Sequence, residues 1–319
     1  MIERVLVLYP KDFCHISMEK FIRPFPKILR IEPASSCNFK CVHCPTGLNL
    51  NESLGIMSTD TFNQIFEQIK HHKFDVIVLY HGGEPILNKQ FFEMAKKLKP
   101  ITKKLRTTTN GSLLDDKIIE KFLDIEFDEI DISLDGNSPE ENDLIRIGGD
   151  YHKITEKVIK MINLRNERNL TVPKITIANA QIPEDMNTEN IAPVPKHLTE
   201  TFKQVIDDVK FSPFYTIQWP GMPEKVDMIE KPKGNFCDHI VNTISIRWNG
   251  DVVPCCYDLI NMMVMGNMLQ DNIEQIWNNE KYIKFRKDID EFNPPDLCKN
   301  CFVLHGFKWA RTNLFASSK

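Results

Sequence analysis

Cys37-Asn38-Phe39-Lys40-Cys41-Val42-His43-Cys44 is a C-x3-C-x2-C run that follows a short apolar segment, Ile28–Ile31. Three thiols in so short a span are one fewer than a closed tetrahedral metal site uses. An iron–sulfur cube held by three thiolates keeps one iron open to an exogenous ligand, and chemistry is expected at that open position. The alternative is a structural zinc ion, which wants a fourth protein ligand. His43 sits between two of the cysteines and would need a strained backbone to share their metal.

Working outward, short apolar runs alternate with amphipathic stretches from Ile28 to about Phe214. The runs 28–31, 76–80, 105–108, 129–133, 175–178 and 210–215 read as strands. Between them, 59–71 carries Phe62, Ile65, Phe66 and Ile69 at helical spacing, with Ser58 as N-cap. The stretches 91–98, 115–123 and 153–167 behave similarly. Strand and helix alternating along the chain predict an α/β fold with a parallel sheet and crossover helices, a partial (β/α)6 TIM-type barrel. Active sites of such barrels lie at the C-terminal ends of the strands, where the cysteine run falls.

The flanks read differently. Residues 1–27 form an N-terminal extension, with 1–9 as a strand or extended arm. Residues 28–217 are the barrel, with an irregular excursion over 181–200. A Pro/Gly/Lys-rich linker, 218–235, precedes a small C-terminal domain over 236–319. There, Asn249-Gly250 between two β-prone runs predicts a hairpin. A helix is expected over 271–288, with Ile273, Ile276 and Trp277 on one side, and another toward Leu314.

At 319 residues the chain suffices for one large domain, or one with an appendage. Its 42% hydrophobic and 26% charged residues are ordinary for a globular protein. A net charge of −4 makes no electrostatic case for nucleic acid. No apolar run approaches a membrane span, and the N-terminus is too interrupted for a signal peptide. The nine cysteines are odd in number and clustered, which favours metal ligation over a disulfide framework. Reduced thiolates point to the cytoplasm. Cys14 is expected to be a free buried thiol.

Gly82-Gly83-Glu84-Pro85 follows the second strand. Glycines let backbone approach a ligand closely, and a carboxylate can accept from an ammonium group; a plain turn is the other reading. The third strand ends Thr107-Thr108-Thr109-Asn110-Gly111 and the fourth Ser133-Leu134-Asp135-Gly136. These short polar groups suit ribose hydroxyls or helix capping.

Together the motifs resemble the radical S-adenosylmethionine (SAM) superfamily, including an aromatic residue, Phe39, two positions before the second cysteine. The resemblance implies that Cys37, Cys41 and Cys44 hold a [4Fe–4S] cluster that binds SAM. It also implies that Gly82, Gly83, Glu84 and Pro85 hold the methionine amino group, and that Asn110, Ser133 and Asp135 face the cofactor. Arg146, before Gly148-Gly149, matches an arginine of relatives and would pair with a carboxylate of cofactor or substrate; a surface ion pair is the alternative.

Cys237-x17-Cys255 and Cys298-x2-Cys301 supply four more thiols, enough for one cluster or one zinc. With Asn249-Gly250-Asp251, Met265-Gly266-Asn267, Ile276-Trp277 and Arg286, they resemble a SPASM/Twitch appendage holding one auxiliary [4Fe–4S] cluster. A four-thiolate cluster has no iron free for substrate, so electron relay is its natural use. That favours a two-electron oxidation of a small molecule, such as dehydrogenation of a sugar or aminocyclitol. Crosslinking of a peptide by a maturase obeys the same electron count, and epimerisation stays open if Cys256 returns a hydrogen atom. Asp258 is a candidate base beside the same thiols. Cys256 is also an alternative to Cys255 as ligand. An external one-electron donor of flavodoxin or ferredoxin type is expected. The reading from another class is a non-enzymatic iron–sulfur or zinc protein.

Overall fold

The computed structural model describes residues 18–181, 192–215, 219–220, 234–301 and 304. The expected arm at 1–9, Cys14, most of the 218–235 linker and the helix toward Leu314 lie outside the described residues. In chain order the first half runs β1 (Ile28–Ile31), β2 (Lys40–Cys41), α1 (Thr59–Ile69), β3 (Phe74–Leu79), α2 (Phe91–Leu98), β4 (Thr102–Thr109), α3 (Asp116–Ile125) and β5 (Glu129–Ser133). There follow α4 (Pro139–Ile145), β6 (Arg146–Ile147), α5 (Tyr151–Glu167), β7 (Lys174–Gln181), α6 (Lys196–Thr201) and β8 (Val209–Tyr215). The chain closes with α7 (Asp238–Asn242), β9 (Thr243–Ile246), β10 (Asp251–Val253), β11 (Gly266–Asn267), α8 (Ile273–Trp277), α9 (Glu280–Asp290) and α10 (Asp296–Lys299).

All six expected strands form, and they lie in chain order across the sheet as β1-β3-β4-β5-β7-β8, each parallel to the next. Strand alternation gives the sheet two faces. Leu29, Ile31, Ile77, Leu79, Leu105, Ile130, Ile132, Ile175 and Ile177 share one hydrophobic core with the helix residues Phe62, Ile65, Ile69, Phe122, Val158 and Ile162. An aromatic knot reinforces it, with the Phe92 and Phe127 rings each 5.0 Å from Phe122. Each side chain so buried contributes about 1.5–3 kcal/mol. The opposite, concave face is polar and carries Arg30, Arg106 and Asp131. The helices start where side chains satisfy the free backbone N–H groups: Ser58 accepts from Thr61, Asp115 from Ile118 and Asp150 from Lys153.

The C-terminal segment does not stand apart from this sheet. β9 pairs with the free edge of β1 in parallel, with Ile28 opposite Thr243 and Arg30 opposite Ser245. It is a seventh parallel strand, extended by antiparallel β10 and β11 into a sheet of nine. The hairpin turns where expected, and Gly250 sits at φ +86°, which a side chain would strain. The helix expected over 271–288 is instead two. α8 stops at Trp277, and Asn279 caps α9 by accepting from the Tyr282 N–H at 2.9 Å. An asparagine carboxamide competes with the helical backbone for its hydrogen bonds, and this break overrides the apolar periodicity. Among the described residues no helix is long and apolar enough to cross a membrane.

Candidate active site

The cysteine loop is fixed by a short ladder that has no periodicity to announce it. β2 pairs antiparallel with β6, placing Cys41 opposite Arg146, and the Val42 N–H donates to Ile145 O at 3.0 Å. Gly47 lies flat on the Cys41 backbone: a Cβ there would stand 2.4 Å from Cys41 O. The Phe39 N–H donates to Cys37 Sγ at 3.5 Å, and Asn110 Nδ2 stands 4.0 Å from the same sulfur. Burial pushes the Cys41 thiol up to about 12, with Arg146 opposing and Cys44, Asp135 and Cys37 adding to the rise. Burial likewise raises Cys37, whose neighbours include Cys44. The three thiols thus crowd one another in a poorly solvated loop.

The glycine turn crosses directly beneath that loop. A Cβ on Gly83 would lie 2.2 Å from Ser36 O and 2.6 Å from Ala34 O. The Glu84 N–H donates to Ser36 O at 2.9 Å, and Thr46 Oγ1 to Gly82 O at 3.3 Å. We expect Gly83→Ala to displace the cysteine loop and lower its capacity to hold iron by about 10-fold or more, the scale of losing a ligand's outer-shell support. Iron content after anaerobic reconstitution checks it, and full iron loading would contradict it.

Glu84 is buried, and its oxygens accept from Thr109 Oγ1 and the Asn110 N–H, both at 2.8 Å. Burial pushes its carboxyl up to about 7, against those hydrogen bonds. A carboxylate so placed gains from an arriving ammonium. Asn110 bridges to Asn38 Oδ1 at 2.9 Å. Ser133 ends β5 half-buried and caps nothing; Ser138 caps α4 instead.

Three of the expected site residues have partners within the protein. Phe39, expected among the cofactor-binding residues, is buried at 3% exposure, with Gly148 and Gly149 pressed on its ring at what would be 3.3 and 3.1 Å to a Cβ. Arg146 is not a surface ion pair, and its buried Nε has no hydrogen-bond partner. Its guanidinium pairs with Asp135 Oδ2 at 2.6 Å, while Asp135 Oδ1 accepts from the Ala180 N–H at 3.0 Å. Both are therefore braces of the cysteine loop, since Arg146 also pairs with Cys41 through the backbone. Asp258 is no free base, because its two oxygens accept from the Met262 and Met263 N–H groups at 2.8 and 2.9 Å. His43, set aside in the sequence, stands 3.7 Å from Asp135 with its buried Nδ1 unpartnered. No local signal announces that position, since the Asp135–Arg146 brace that orients it is far away in the chain.

The second thiol set is built from four places in the C-terminal segment. Cys237 precedes α7, Cys255 follows β10, Cys298 lies in α10 and Cys301 just beyond it. Burial pushes Cys237 up to about 12, and Cys301 adds to the rise. Cys298 is raised by burial and then by Cys301 and Cys237. Cys255 is raised first by its neighbour Cys256 and by burial, and then by Cys237 and Cys301. Cys256 instead has its Sγ 3.8 Å from His239 Nε2, a buried ring. Behind them Arg286 donates to Ile240 O and Trp277 O, both at 2.9 Å, and stacks 4.1 Å over the Trp277 ring.

A buried node that the motifs did not reveal joins the two sets. Glu32, at the end of β1, accepts from Arg247 Nε at 2.7 Å, the Trp248 N–H at 3.1 Å and the Gly82 N–H at 3.1 Å. Arg247 and Glu32 are both fully buried. Trp248 donates to Ser53 O at 3.1 Å, and its ring lies where a Cβ on Gly55 would be, at 2.5 Å.

Among the described residues no three His, Cys, Asp or Glu groups converge as they would on one metal ion. Thiols that ring a four-iron cube stand farther apart than ligands sharing one ion. All-thiolate donors suit iron–sulfur clusters, and both sets fit such a group: each is crowded with thiols, enclosed, and supplied with N–H donors to sulfur.

Comparison with known proteins agrees. The profile described as Radical SAM superfamily matches residues 31–180, and that described as SPASM, iron-sulfur cluster-binding domain, matches 237–302. The tungsten-containing aldehyde ferredoxin oxidoreductase cofactor-modifying protein of Pyrococcus furiosus is 25% identical over 90% of this chain and 90% of its own length. S-adenosyl-L-methionine-dependent 2-deoxy-scyllo-inosamine dehydrogenase of Niallia circulans is 21% identical over 86% of this chain and 92% of its own. The crystal structure of BtrN in complex with AdoMet and 2-DOIA superposes with a TM-score of 0.57 at 18% identity, covering 89% of this chain and 97% of that one.

Proposed function

This chain belongs to the radical SAM superfamily and carries a SPASM iron–sulfur domain, and on that premise we propose that it dehydrogenates a small molecule such as a sugar or an aminocyclitol. When bound, the cofactors supply the radical that removes a substrate hydrogen atom and an acceptor for the second electron. Cys37, Cys41 and Cys44 would hold the cluster that binds SAM. Gly82 and Gly83 present bare backbone beside it, Glu84 offers its carboxylate to the methionine ammonium, and Asn110 and Ser133 are the strand-end groups left to orient the nucleoside. The Asp135–Arg146 pair keeps the loop in register and the Trp248–Gly55 contact covers its far side. Cys237, Cys255, Cys298 and Cys301 would enclose the second cluster.

The observation that carries the oxidative reading is this second set. Its four thiols act on one another, so a cluster there has no protein-free iron, and relay of an electron is what it can do. The relative from Niallia circulans, a dehydrogenase by name, spans 86% of the chain. A small flavodoxin- or ferredoxin-type protein is the proposed electron donor, and the cytoplasm the proposed location. A second reading, epimerisation, has one observation in its favour: Cys256, next to Cys255, has its Sγ 3.8 Å from His239 Nε2.

Anaerobic reconstitution is expected to give about eight irons per chain, for two four-iron clusters. Dithionite with SAM should then yield 5′-deoxyadenosine. Fully loaded protein that cleaves no SAM would sink the enzyme reading. Cys256→Ala divides the two reactions. Dehydrogenation with 2-deoxy-scyllo-inosamine as probe should retain rate within about threefold, because packing is the usual role of such a cysteine. A variant that removes substrate hydrogen but releases no turned-over product would instead favour epimerisation.

A further inference from the structure

Arg30 sits in the middle of β1 on the concave face, 5% exposed. Its only hydrogen bond among the described residues runs from one terminal nitrogen to Tyr80 O, at 3.1 Å. No carboxylate pairs with it among the described residues, and its buried Nε has no partner. Directly opposite in the sheet register is Ser245, 1% exposed, whose Oγ is also unpartnered. One step along β9 on the same face, Thr243 repeats the pattern at 2% exposure. Buried polar groups are almost always satisfied, and a buried guanidinium without a counter-charge is costlier still. Three such groups side by side form a built site.

Its position is informative. The Arg30 charge is felt by Asp131 across the concave face and by His239 and Cys256 beside the second thiol set. It is also felt by Tyr80, which in turn feels Cys44 and Cys37. Arg30 therefore lies at the β1–β9 seam, on the sheet face opposite the apolar one. On the same face Asp131 Oδ2 lies 3.4 Å from Arg106, and its buried Oδ1 has no hydrogen-bond partner.

We propose that Arg30 and Ser245, with Thr243 beside them, bind an anionic group of the substrate, a carboxylate or phosphate. The substrate is then a sugar or cyclitol that bears an acidic group and is held by its anion. This rests on the proposed enzymatic reading but is tested apart from it. A guanidinium edge with an adjacent hydroxyl matches the planar or tetrahedral oxygens of such a group. SAM itself carries a carboxylate, and the experiment separates that source.

Cluster-loaded protein with SAM bound is titrated with inorganic phosphate at constant ionic strength, followed by phosphorus NMR line-broadening and by thermal stabilisation. Wild type should respond, Arg30→Gln should bind phosphate about tenfold more weakly or worse, and Ser245→Ala about threefold more weakly. Ser245→Ala retains the guanidinium and keeps the test open if Arg30→Gln does not fold. An absent phosphate response in wild type, or an equal one in both variants, overturns the proposal. So does a loss of SAM affinity in Arg30→Gln with phosphate binding intact, which would give the guanidinium to the cofactor. A lowered potential of the second cluster with phosphate binding unchanged also overturns it, since Arg30 would then be a counter-charge to that cluster. Failure of SAM cleavage in wild type bears on the enzymatic reading and leaves phosphate binding measurable.

Discussion

Cys41→Ala is expected to abolish 5′-deoxyadenosine formation, by more than about 100-fold, because it removes a ligand itself rather than the outer-shell support whose loss costs 10–100-fold. Roughly half of the iron should remain, held by the second set. Cys298→Ala is the counterpart. It should spare SAM cleavage and abolish substrate oxidation, because the radical is made at one site and the second electron leaves through the other. Iron content and product analysis on both variants check the division. Equal loss of cleavage in the two would merge the sites into one function. Because burial raises the Cys41 thiol toward about 12, a metal must displace its proton, and cluster assembly should weaken as pH falls.

Arg247→Met should destabilise the chain by about 3–5 kcal/mol, the cost of stranding a buried charge when its partner is removed. The stranded group is Glu32, which also holds the Gly82 and Trp248 N–H groups. Replacing both, as Glu32→Leu with Arg247→Met, should cost less than the single change, because a well-packed apolar pair leaves no charge behind. Burial raises the Glu32 carboxyl, but His81 and Arg247 outweigh it and hold it below its ordinary range. A carboxyl depressed in the folded state stabilises above its unfolded pKa, and that contribution is lost as pH falls through the folded value. The deficit of Arg247→Met should therefore shrink in acid. Denaturant unfolding from about pH 7 down to about pH 3, below the ordinary carboxylate range, measures it. A deficit independent of pH would assign the loss to packing.

The two cysteine patterns and the glycine turn were legible because ligand spacing is local. C-x3-C-x2-C, C-x17-C and C-x2-C each state a chemistry within a few residues or across one hairpin. The six strands and their order were legible for a similar reason, since apolar runs alternate with helical periodicity and parallel connections follow chain order. Caps at Ser58 and the turn at Asn249-Gly250 also carry their cause in the sequence.

What the sequence left open depends on partners far along the chain. Phe39 is found with Gly148 and Gly149 on its ring. Arg146 and Asp135 are found bonded to each other, and Asp258 accepts from two backbone N–H groups. A side chain's role depends on whether its hydrogen-bonding capacity is already met, and only the folded chain decides that. Sequence alone determined that three thiols sit at the end of the first strand and four more near the C-terminus. Tertiary structure decided that the segments carrying the two groups are joined, because β9 completes the open edge of β1 and Arg247 reaches back across 215 residues to Glu32. The physical reason is that an exposed strand edge and a buried carboxylate each require a partner, and local pattern does not say which one.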